Sequence, residues 1–362
     1  MSMTTALAAH GAVMKASFGK LPDGTAVDIY TLKAEGLEVR VTNFGARIVS
    51  IRTPDRSGKV ADVALGYDTI DGYVADNKTY LGSIVGRYGN RIAHGTFSVE
   101  GKQYHVPLNN GPNSLHGGTV GFDRHLWQAK EVPGGVEFTL VSPDGDQGYP
   151  GTLTVHVKYT VHAPKTLRID YSATTDKPTV LNLTNHTYFN LGGEGEGTTL
   201  GTILGEKVKL DADAYTPVDA GLIPTGVAPV KGTPFDFTQL TVIGGRIGED
   251  NQQLKYGGGY DHNFVVRGKA GELRPAAEVI DPASGRTMTV ATTEPGVQFY
   301  TGNSLPGLFK GRSGVVYSKN MALCLETQHF PDSPNHPSFP STELKPGETM
   351  HSTTVFRFGV EK

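Results

Sequence analysis

The chain has 362 residues, and its 33 basic and 36 acidic side chains give a formal charge of -3, which excludes the cationic footprint of nucleic-acid binding. Its 47 glycines and 22 prolines, with 37% hydrophobic residues, indicate many short elements joined by turns. No stretch reaches the roughly 18 apolar residues of a membrane-spanning helix. We therefore expect a globular protein whose partners include neither nucleic acid nor a membrane.

Two features bear on location and domain organisation. The lone cysteine, Cys324, excludes an internal disulfide and favours a reducing compartment, so we expect a cytoplasmic protein, or a periplasmic one if an export signal is missing from this chain. Residues 1–14 have neither the basic nor the apolar segment of a signal peptide, and we expect them to form a flexible leader. No linker or repeat divides the rest, which predicts one domain over residues 15–362.

Short strands with a period of two run along the first half of the chain. The pattern is clearest at residues 153–161 and 167–173, whose alternating apolar residues flank the turn at residues 163–165 and predict an antiparallel hairpin. Earlier strands are predicted at residues 37–42, 48–53, 97–99 and 104–106. Consecutive strands joined by turns favour an antiparallel sheet.

The segment at residues 181–191 alternates like a half-buried strand, and we expect it to continue the preceding hairpin as a meander. One predicted face is apolar and belongs to the core: Leu181, Leu183, Phe189 and Leu191. The other predicted face is polar: Asn182, Thr184, His186, Tyr188 and Asn190. Asn, His and Tyr on one face favour contact with a ligand rich in hydroxyl groups.

Further strands are predicted at residues 278–280, 287–290, 297–301 and 321–327, and the sequence contains almost no helical periodicity. Only residues 69–74 suggest a short helix. One large antiparallel β-sandwich is the simplest architecture for this pattern.

Glu326 is the second unusual residue, because it interrupts an otherwise apolar strand. Its neighbours on the same predicted face, Ala322 and Cys324, are small. This arrangement predicts a carboxylate at the floor of a pocket, where loss of solvent would raise its pKa. The alternative is a carboxylate on a solvated face or in a structural ion pair.

Other candidate binding groups occur at strand ends and in glycine-rich turns, where ligand-binding residues are often displayed. Each also has a structural interpretation, as a surface arginine, a turn histidine, an Asx turn or a structural amide. The candidates are Arg87, Asn90 and Arg91 in one turn, His116 beside two glycines, Asp261 before a strand, and Gln298 on a strand.

Known metal and nucleophile motifs are missing from the sequence. There is no His-x-His, His-Glu-x-x-His, Cys pair or Gly-x-Ser-x-Gly, and the candidate histidines fall on separate strands. We therefore expect neither a metal nor another cofactor. An acid, a base and a set of hydrogen-bonding groups suited to a sugar remain.

These residues together resemble the aldose 1-epimerase family of the galactose mutarotase type. The resemblance implies an all-β protein, a large antiparallel β-sandwich of the galactose mutarotase-like (supersandwich) type, that binds a sugar on a concave face. The motifs occur in the family's order: Asn43-Phe44-Gly45-Ala46, Val85-Gly86-Arg87-Tyr88-Gly89-Asn90-Arg91-Ile92, Asn113-Ser114-Leu115-His116-Gly117-Gly118, Thr184-Asn185-His186-Thr187-Tyr188-Phe189-Asn190-Leu191, Tyr260-Asp261-His262-Asn263-Phe264, Gln298-Phe299-Tyr300-Thr301-Gly302-Asn303 and Leu325-Glu326-Thr327-Gln328-His329-Phe330-Pro331.

The resemblance implies an isomerase that interconverts the α and β anomers of hexoses such as glucose and galactose. Glu326 would be the general base and His186 the general acid, on opposite sides of the ring, with Glu326 ionised and His186 protonated at neutral pH. The residues that would hold the sugar are Asn90, Arg91, His116, Tyr188, Asp261 and Gln298. One departure from the family pattern, Tyr88-Gly89, is expected to change the shape of the pocket.

Three alternative functions stay open on the sequence. Arg87 beside Arg91 suits a phosphate group and suggests a hexose-phosphate 1-epimerase. A non-catalytic carbohydrate-binding protein would keep the cleft, although binding alone needs no acid–base pair. A glycosidase would use Asp261 and Glu326 as paired carboxylates. The sequence leaves open whether the protein is a monomer or a homodimer.

Overall fold

A computed structural model describes residues 12–76, 78–195 and 200–361 of the protein, and strands dominate it. The first ten strands of these described ranges are β1 (Ala12–Lys20), β2 (Ala26–Ala34), β3 (Leu37–Thr42), β4 (Arg47–Pro54), β5 (Val60–Ala64), β6 (Ile84–Val85), β7 (Arg91–Ile92), β8 (Thr96–Val99), β9 (Lys102–His105) and β10 (Ser114–Leu115). The next ten are β11 (Gln128–Val132), β12 (Gly135–Ser142), β13 (Leu153–His162), β14 (Thr166–Thr175), β15 (Thr179–Val180), β16 (Thr184–Asn185), β17 (Tyr188–Glu194), β18 (Lys207–Leu210), β19 (Ala212–Tyr215) and β20 (Ala228–Pro229). The last ten are β21 (Thr241–Val242), β22 (Asp261–Val266), β23 (Arg274–Ile280), β24 (Arg286–Thr292), β25 (Gly296–Tyr300), β26 (Pro306–Lys310), β27 (Val316–Ser318), β28 (Leu323–Gln328), β29 (Glu343–Leu344) and β30 (Met350–Val360).

Two large antiparallel sheets organise the described strands. The larger sheet has eleven strands in the order β1-β2-β3-β4-β5-β17-β28-β25-β22-β19-β20. The other has nine, in the order β11-β12-β13-β14-β30-β24-β23-β18-β21. Side chains from both sheets form one continuous apolar core between them, as expected for a β-sandwich.

The hairpin predicted from the alternating residues 153–173 is confirmed. β13 and β14 pair in antiparallel register, with Val157 opposite Tyr171, and the alternate residues of β13 are buried. The next strand of this sheet is β30, from the end of the chain, with Leu167 opposite Phe356. The meander predicted to follow β14 is therefore wrong.

Residues 181–191 do not form one strand. Thr184 and Asn185 form β16, which pairs with β6, and residues 188–191 belong to β17, which pairs with β5 and β28 of the larger sheet. Asparagine side chains end the ladders, because they compete for backbone groups. The Asn182 amide oxygen accepts from the His329 N–H at 2.9 Å, and the Asn185 amide donates to the Gly82 carbonyl at 2.9 Å.

The prediction for the apolar face of this segment is confirmed. Its four apolar side chains all lie in the main core: Leu181, Leu183, Phe189 and Leu191. The polar residues are also buried, with exposed fractions of 0 to 4% for Asn182, Thr184, His186, Tyr188 and Asn190. A buried polar group has no water to bond, so it needs a hydrogen-bond partner in the protein or in a ligand.

Two short α-helices occur in the described part of the chain, α1 (Ile70–Ala75) and α2 (Gln252–Gly257). The sequence predicted α1 but not α2, because six residues are too few to show a helical period. The Asn251 side chain caps α2 by accepting from the Gln253 N–H at 2.9 Å, and Gly258 ends the helix with a φ of 64°.

The first strand begins inside the predicted leader. Residues 12–14 belong to β1, where Ala12, Val13 and Met14 pair with Lys33, Leu32 and Thr31 of β2. The leader prediction is corrected at these three positions, because the backbone there has a neighbouring strand to pair with. The remaining leader residues, 1–11, lie outside the described residues. Within the described ranges, no helix is long and apolar enough to cross a membrane.

Candidate active site

A cleft of about 620 Å³ opens on the face of the larger sheet that points away from the core. Alternate residues of β28 show which face this is, because Leu323 and Leu325 belong to the main core and Cys324 to a separate cluster. The cleft is lined by Lys78, Thr79, Tyr80, Asn90, Arg91, Asn110, Leu115, His116, His186, Tyr188, Leu222, Lys255, Tyr256, Gly257, Gly258, Asp261, Tyr300, Asn303, Ser304, Pro306, Leu308, Phe309 and Glu326.

Four neighbouring strands of the larger sheet lie under the cleft, and their side chains lie directly opposite each other. Such cross-strand neighbours share a face of the sheet. One row runs across β22, β25, β28 and β17, and the next row runs across β25 and β28. The rows are Asp261, Tyr300, Cys324 and Tyr188, and then Gln298 and Glu326.

His186 and Glu326 face each other on this floor. His186 Nε2 lies 3.7 Å from Glu326 Oε1, which is longer than a hydrogen bond. Both residues are buried, with 4% and 2% of their surface exposed. Glu326 Oε2 has no hydrogen-bond partner among the described residues, so it can accept a proton or hydrogen bond from a ligand. His186 and Glu326 therefore lie side by side. This differs from the arrangement expected from the sequence, in which the two groups lie on opposite sides of the sugar ring.

The backbone around His186 is held by the turn that precedes β6. His186 N–H donates to the Ser83 carbonyl at 2.9 Å, and the His186 carbonyl accepts from the Gly82 N–H at 2.9 Å. The Nδ1 atom lies 3.6 Å from the Cys324 thiol sulfur. These contacts leave Nε2 as the ring nitrogen that faces Glu326.

Burial determines the ionisation of the pair. Loss of solvent raises the pKa of Glu326 well above its ordinary value, with a further contribution from Asp261. Loss of solvent also lowers the pKa of His186 to about 4. Burial therefore favours the neutral carboxyl and the neutral imidazole over the ion pair. The expected imidazolium is not favoured, because burial dominates and the positive charge of Arg47 also lowers the pKa of His186.

A loop pairing brings Asn90, Arg91 and His116 to one wall of the cleft. β7 and β10 pair with Arg91 opposite Leu115, which places Asn90 next to His116. The Asn90 N–H donates to His116 Nδ1 at 3.1 Å, so the neutral imidazole carries its hydrogen on Nε2 and can donate to a ligand. Burial lowers the pKa of His116 well below its usual value, which keeps the ring neutral.

Asp261 and Gln298 have different positions relative to the cleft. The Gln298 amide donates to Asp261 Oδ1 at 2.7 Å, and burial raises the pKa of Asp261. Asp261 lines the cleft, whereas Gln298 is not among the lining residues and is 2% exposed. Gln298 therefore supports Asp261 from behind, which differs from the direct sugar contact expected from the sequence.

Arg87 lies away from the cleft and is 2% exposed. Its guanidinium donates to the carbonyls of Pro150 at 2.8 Å and Gly151 at 2.9 Å, and to the hydroxyl of Ser142 at 2.6 Å. The prediction that Arg87 and Arg91 face the same ligand is therefore wrong. The argument for a phosphorylated substrate that rested on Arg87 has no structural support.

We expect Arg87→Leu to lower the free energy of unfolding by at least about 3 kcal/mol, because several buried acceptors lose their donor. Activity per folded molecule should stay unchanged. Urea unfolding and kcat/KM measure the two quantities. The control is Arg52→Leu, whose side chain is 49% exposed in a long ion pair with Glu38, and which should change stability by less than about 0.5 kcal/mol. A selective loss of activity on phosphorylated hexoses in Arg87→Leu would contradict this assignment.

Tyr88 also lies outside the cleft. Its hydroxyl donates to the Phe330 carbonyl at 3.3 Å and accepts from the Ser333 N–H at 3.1 Å. The side chain is 1% exposed and packs in a separate apolar cluster. The expectation that Tyr88 shapes the pocket is wrong. Its hydroxyl instead connects the loop between β6 and β7 to the segment after β28.

Three residues of the cleft could hold a metal ion. The ligand atoms of His116, His186 and Glu326 all lie within 4.8 Å of one another. Two imidazoles and a carboxylate are a donor set that zinc accepts. Their positions on separate strands therefore do not argue against a metal, because the fold brings them together. The same three groups also supply the acid–base pair and a neutral donor.

Several lining residues were not identified from the sequence. Tyr80 lies beside the histidines, Asn110 accepts from Arg91 Nε at 3.0 Å, and Tyr256 comes from the unpredicted helix α2. Tyr300 had an available signal, because it follows Gln298 by two residues on the same strand face. No comparable signal marks Tyr80, since its role depends on a turn conformation.

The fold and the site together define a class of protein: a β-sandwich whose cleft combines a buried imidazole–carboxyl pair with groups suited to a ligand rich in hydroxyls. The model of the family described as aldose 1-epimerase matches residues 28–357. The chain belongs to the aldose 1-epimerase family, which confirms the resemblance seen in the sequence.

Known relatives are similar over nearly their whole length. Galactose mutarotase from Rattus norvegicus is 46% identical over 350 residues, which cover 96% of this chain and 99% of the relative. Aldose 1-epimerase from Escherichia coli is 38% identical over 345 residues, covering 94% and 97%. The crystal structure of galactose 1-epimerase from Lactobacillus acidophilus has a TM-score of 0.82 at 28% identity and covers 97% of this chain and 100% of that one. The predicted fold class is confirmed.

Proposed function

We propose that this protein is an aldose 1-epimerase that interconverts the α and β anomers of free hexoses such as glucose and galactose. The observation that carries the proposal is the buried pair of His186 Nε2 and Glu326 Oε1, 3.7 Å apart at the floor of the cleft. The relatives named galactose mutarotase and aldose 1-epimerase support the same activity.

The reaction needs proton transfer at two neighbouring oxygens. The pyranose opens when the C1 hydroxyl loses a proton to Glu326 and the ring oxygen gains one from His186. Rotation about the C1–C2 bond and reclosure by the reverse transfers give the other anomer. Both oxygens are bonded to C1, so an acid and a base that lie side by side suit this chemistry, and each positioned transfer typically contributes about 10² to 10⁴ in rate.

The neutral and the ionised forms of the pair contain the same number of protons. A neutral carboxyl with a neutral imidazole holds as many protons as a carboxylate with an imidazolium, and the two forms differ by one transfer from Glu326 to His186. A bound sugar favours the ionised form when its C1 hydroxyl donates to the carboxylate and its ring oxygen accepts from the imidazolium.

The other proposed contacts hold the pyranose in place. Asn90, Arg91 and His116 present hydrogen-bond donors from one wall, and the half-buried Asp261 presents an acceptor from the floor. Tyr188 lies beside the His186 ring, with 5.0 Å between the centroids. Such buried groups distinguish between sugars, because a hydroxyl in the wrong position leaves a partner unpaired.

Polarimetry of freshly dissolved α-glucose and α-galactose tests the proposal directly. The protein should accelerate the change of optical rotation in the presence of a metal chelator, since the proposed chemistry uses no metal or other cofactor. No acceleration over buffer would refute the proposal. Activity that is lost with the chelator and restored by zinc would instead assign His116, His186 and Glu326 to a metal site.

We expect kcat/KM to be highest between the lowered pKa of His186 and the raised pKa of Glu326. Activity should fall as pH drops toward the His186 pKa of about 4, because the pair gains a second proton, and again as pH rises past the raised pKa of Glu326, because the pair loses its only mobile proton. The other polar and titratable groups around the pair are Tyr80, Arg91, His116, Tyr188, Asp261, Tyr300 and Cys324. Polarimetry from pH 4 to pH 9 measures the profile. A loss of activity on the acid side with its midpoint near the ordinary histidine pKa would contradict this prediction.

Three broader assignments belong to the same proposal. Residues 15–362, together with residues 12–14 of β1, act as one domain, which is supported by the pairing of β14 with the C-terminal β30. The protein works in the cytoplasm as a monomer or homodimer, and its free, buried Cys324 suits a reducing compartment. A single cooperative unfolding transition, light scattering and cell fractionation test these three statements.

A further inference from the structure

Tyr80 contacts both histidines of the cleft through its ring. Its centroid lies 4.6 Å from that of His116 at an interplanar angle of 65°, and 5.9 Å from that of His186 at 29°. The two imidazoles are themselves 5.2 Å apart at 83°. The three rings therefore form one cluster, and Tyr80 is the member without a role in the proton transfer or sugar binding described above.

The backbone of Tyr80 has a conformation that its side chain does not favour. Its φ is 57°, in the left-handed region, which is uncommon for a bulky residue. Such a conformation is strained for a tyrosine and persists only where the surroundings impose it. Asn90 and His116, with φ of 61° and 52°, share this region, so three residues with left-handed backbone meet at one wall of the cleft.

The turn that begins at Tyr80 is tied directly to His186. Ser83 donates to the Tyr80 carbonyl through its N–H at 3.0 Å and through its hydroxyl at 2.9 Å. The same turn exchanges two backbone hydrogen bonds with His186 through Gly82 and Ser83, both at 2.9 Å. The chain segment that carries the Tyr80 ring is therefore also the segment that fixes the backbone of the proposed acid.

Tyr80 also separates the cleft from a second cavity. This cavity has a volume of about 300 Å³ and includes the charged residues Arg47, Asp123 and Arg124 in its lining. Tyr80 lines both spaces. Burial raises the pKa of its hydroxyl, with a further contribution from Asp123, so the ring stays neutral and its hydroxyl is no source of protons near pH 7.

We propose that Tyr80 is a positioning residue, which fixes the ring planes of His116 and His186 and separates both imidazoles from the second cavity. This inference rests on the proposed function, because the consequence of misplacing the rings is slower proton transfer. The alternative is that Tyr80 is only a platform for the sugar, which would affect binding and leave the imidazoles unchanged.

Replacement of the Tyr80 ring tests the inference. Tyr80→Leu should lower kcat by about 10- to 100-fold, because the rings lose their alignment, while KM stays within about two-fold of the wild-type value. Tyr80→Phe keeps the ring and should restore kcat to within about two-fold. The control is Tyr104→Leu, which removes a half-buried tyrosine that stacks on Phe97 in another cluster and should leave kcat unchanged.

A second measurement does not depend on catalysis. Nitrogen-15 NMR of the histidines, assigned with His116→Asn and His186→Asn, should show both imidazoles titrating closer to their ordinary range in Tyr80→Leu, and unchanged in Tyr80→Phe. A third measurement needs no variant. In the wild-type protein, nuclear Overhauser contacts between the Tyr80 ring and the His116 imidazole should be present.

The outcomes separate this inference from the proposed function. An inactive wild-type protein would refute the epimerase proposal and leave the NMR results to decide the role of Tyr80. An active wild type with normal kcat in Tyr80→Leu, a raised KM at unchanged kcat, or missing Tyr80–His116 contacts would overturn the positioning role.

Discussion

Glu326→Gln is expected to slow mutarotation by at least about 10²-fold while the protein stays folded. The amide has nearly the shape of the carboxyl but cannot take the C1 proton. The Oε2 atom of Glu326 has no partner in the described structure, so the substitution breaks no hydrogen bond at that atom. Polarimetry with α-glucose and α-galactose measures the loss, and near-normal turnover would refute the role of general base.

The same variant should be more heat-stable than the wild type at neutral pH. Burial raises the pKa of Glu326, whereas the unfolded chain ionises near its ordinary pKa of about 4.3. The stability contributed by this group is therefore complete below about pH 4 and decreases as pH rises toward the folded-state pKa. The amide of the variant does not titrate, so the gain in Tm should appear at pH 7 and be absent at pH 4.

Glu206→Gln is the matched control for this pair of effects. Glu206 is also 2% exposed, and burial raises its pKa to about 8, but it lies outside the cleft and accepts from the Leu191 N–H at 2.7 Å. Its replacement should stabilise the protein at pH 7 and leave kcat unchanged. An equal loss of activity in both variants would attribute the effect of Glu326→Gln to the fold.

The strand framework could be predicted where local alternation decides it. β3 begins and ends at the predicted residues, and the β13–β14 hairpin has the predicted faces. Glu326 was also recognisable, because a carboxylate among small residues on an apolar strand has few structural explanations. The structure places it at the floor of the cleft with 2% exposure.

Pairing between distant segments could not be read from the same pattern. The polar row around His186 looked like one strand, yet Thr184 pairs with β6 and Tyr188 with β28, which lie far away in the sequence. Alternation specifies the face of a side chain and not its partner strand. For this reason the apolar face was predicted correctly and the meander was not.

The sequence also did not show which candidate residues line the cleft and which lie behind it. Gln298 and Glu326 are direct cross-strand neighbours, but only Glu326 lines the cleft, because the Gln298 amide is bonded to Asp261. Arg87 and Arg91 are four residues apart and diverge completely, one into the loops behind the cleft and one into its wall. Turn geometry determines both outcomes, and a turn with positive φ at Tyr80 has no signature in residue type.

His186→Asn is expected to slow mutarotation by at least about 10²-fold, because an amide cannot deliver a proton to the ring oxygen. The double variant with Glu326→Gln should lose little more than either single variant. The reason is that the two residues, 3.7 Å apart, share one mobile proton and act as a unit. Polarimetry of both single variants and the double variant forms a complete cycle, with near-ultraviolet circular dichroism as the test of folding.

Near-normal turnover in His186→Asn would refute the role of general acid. Losses that multiply in the double variant would show that His186 and Glu326 contribute independently, and that the proton which His186 donates does not come from Glu326.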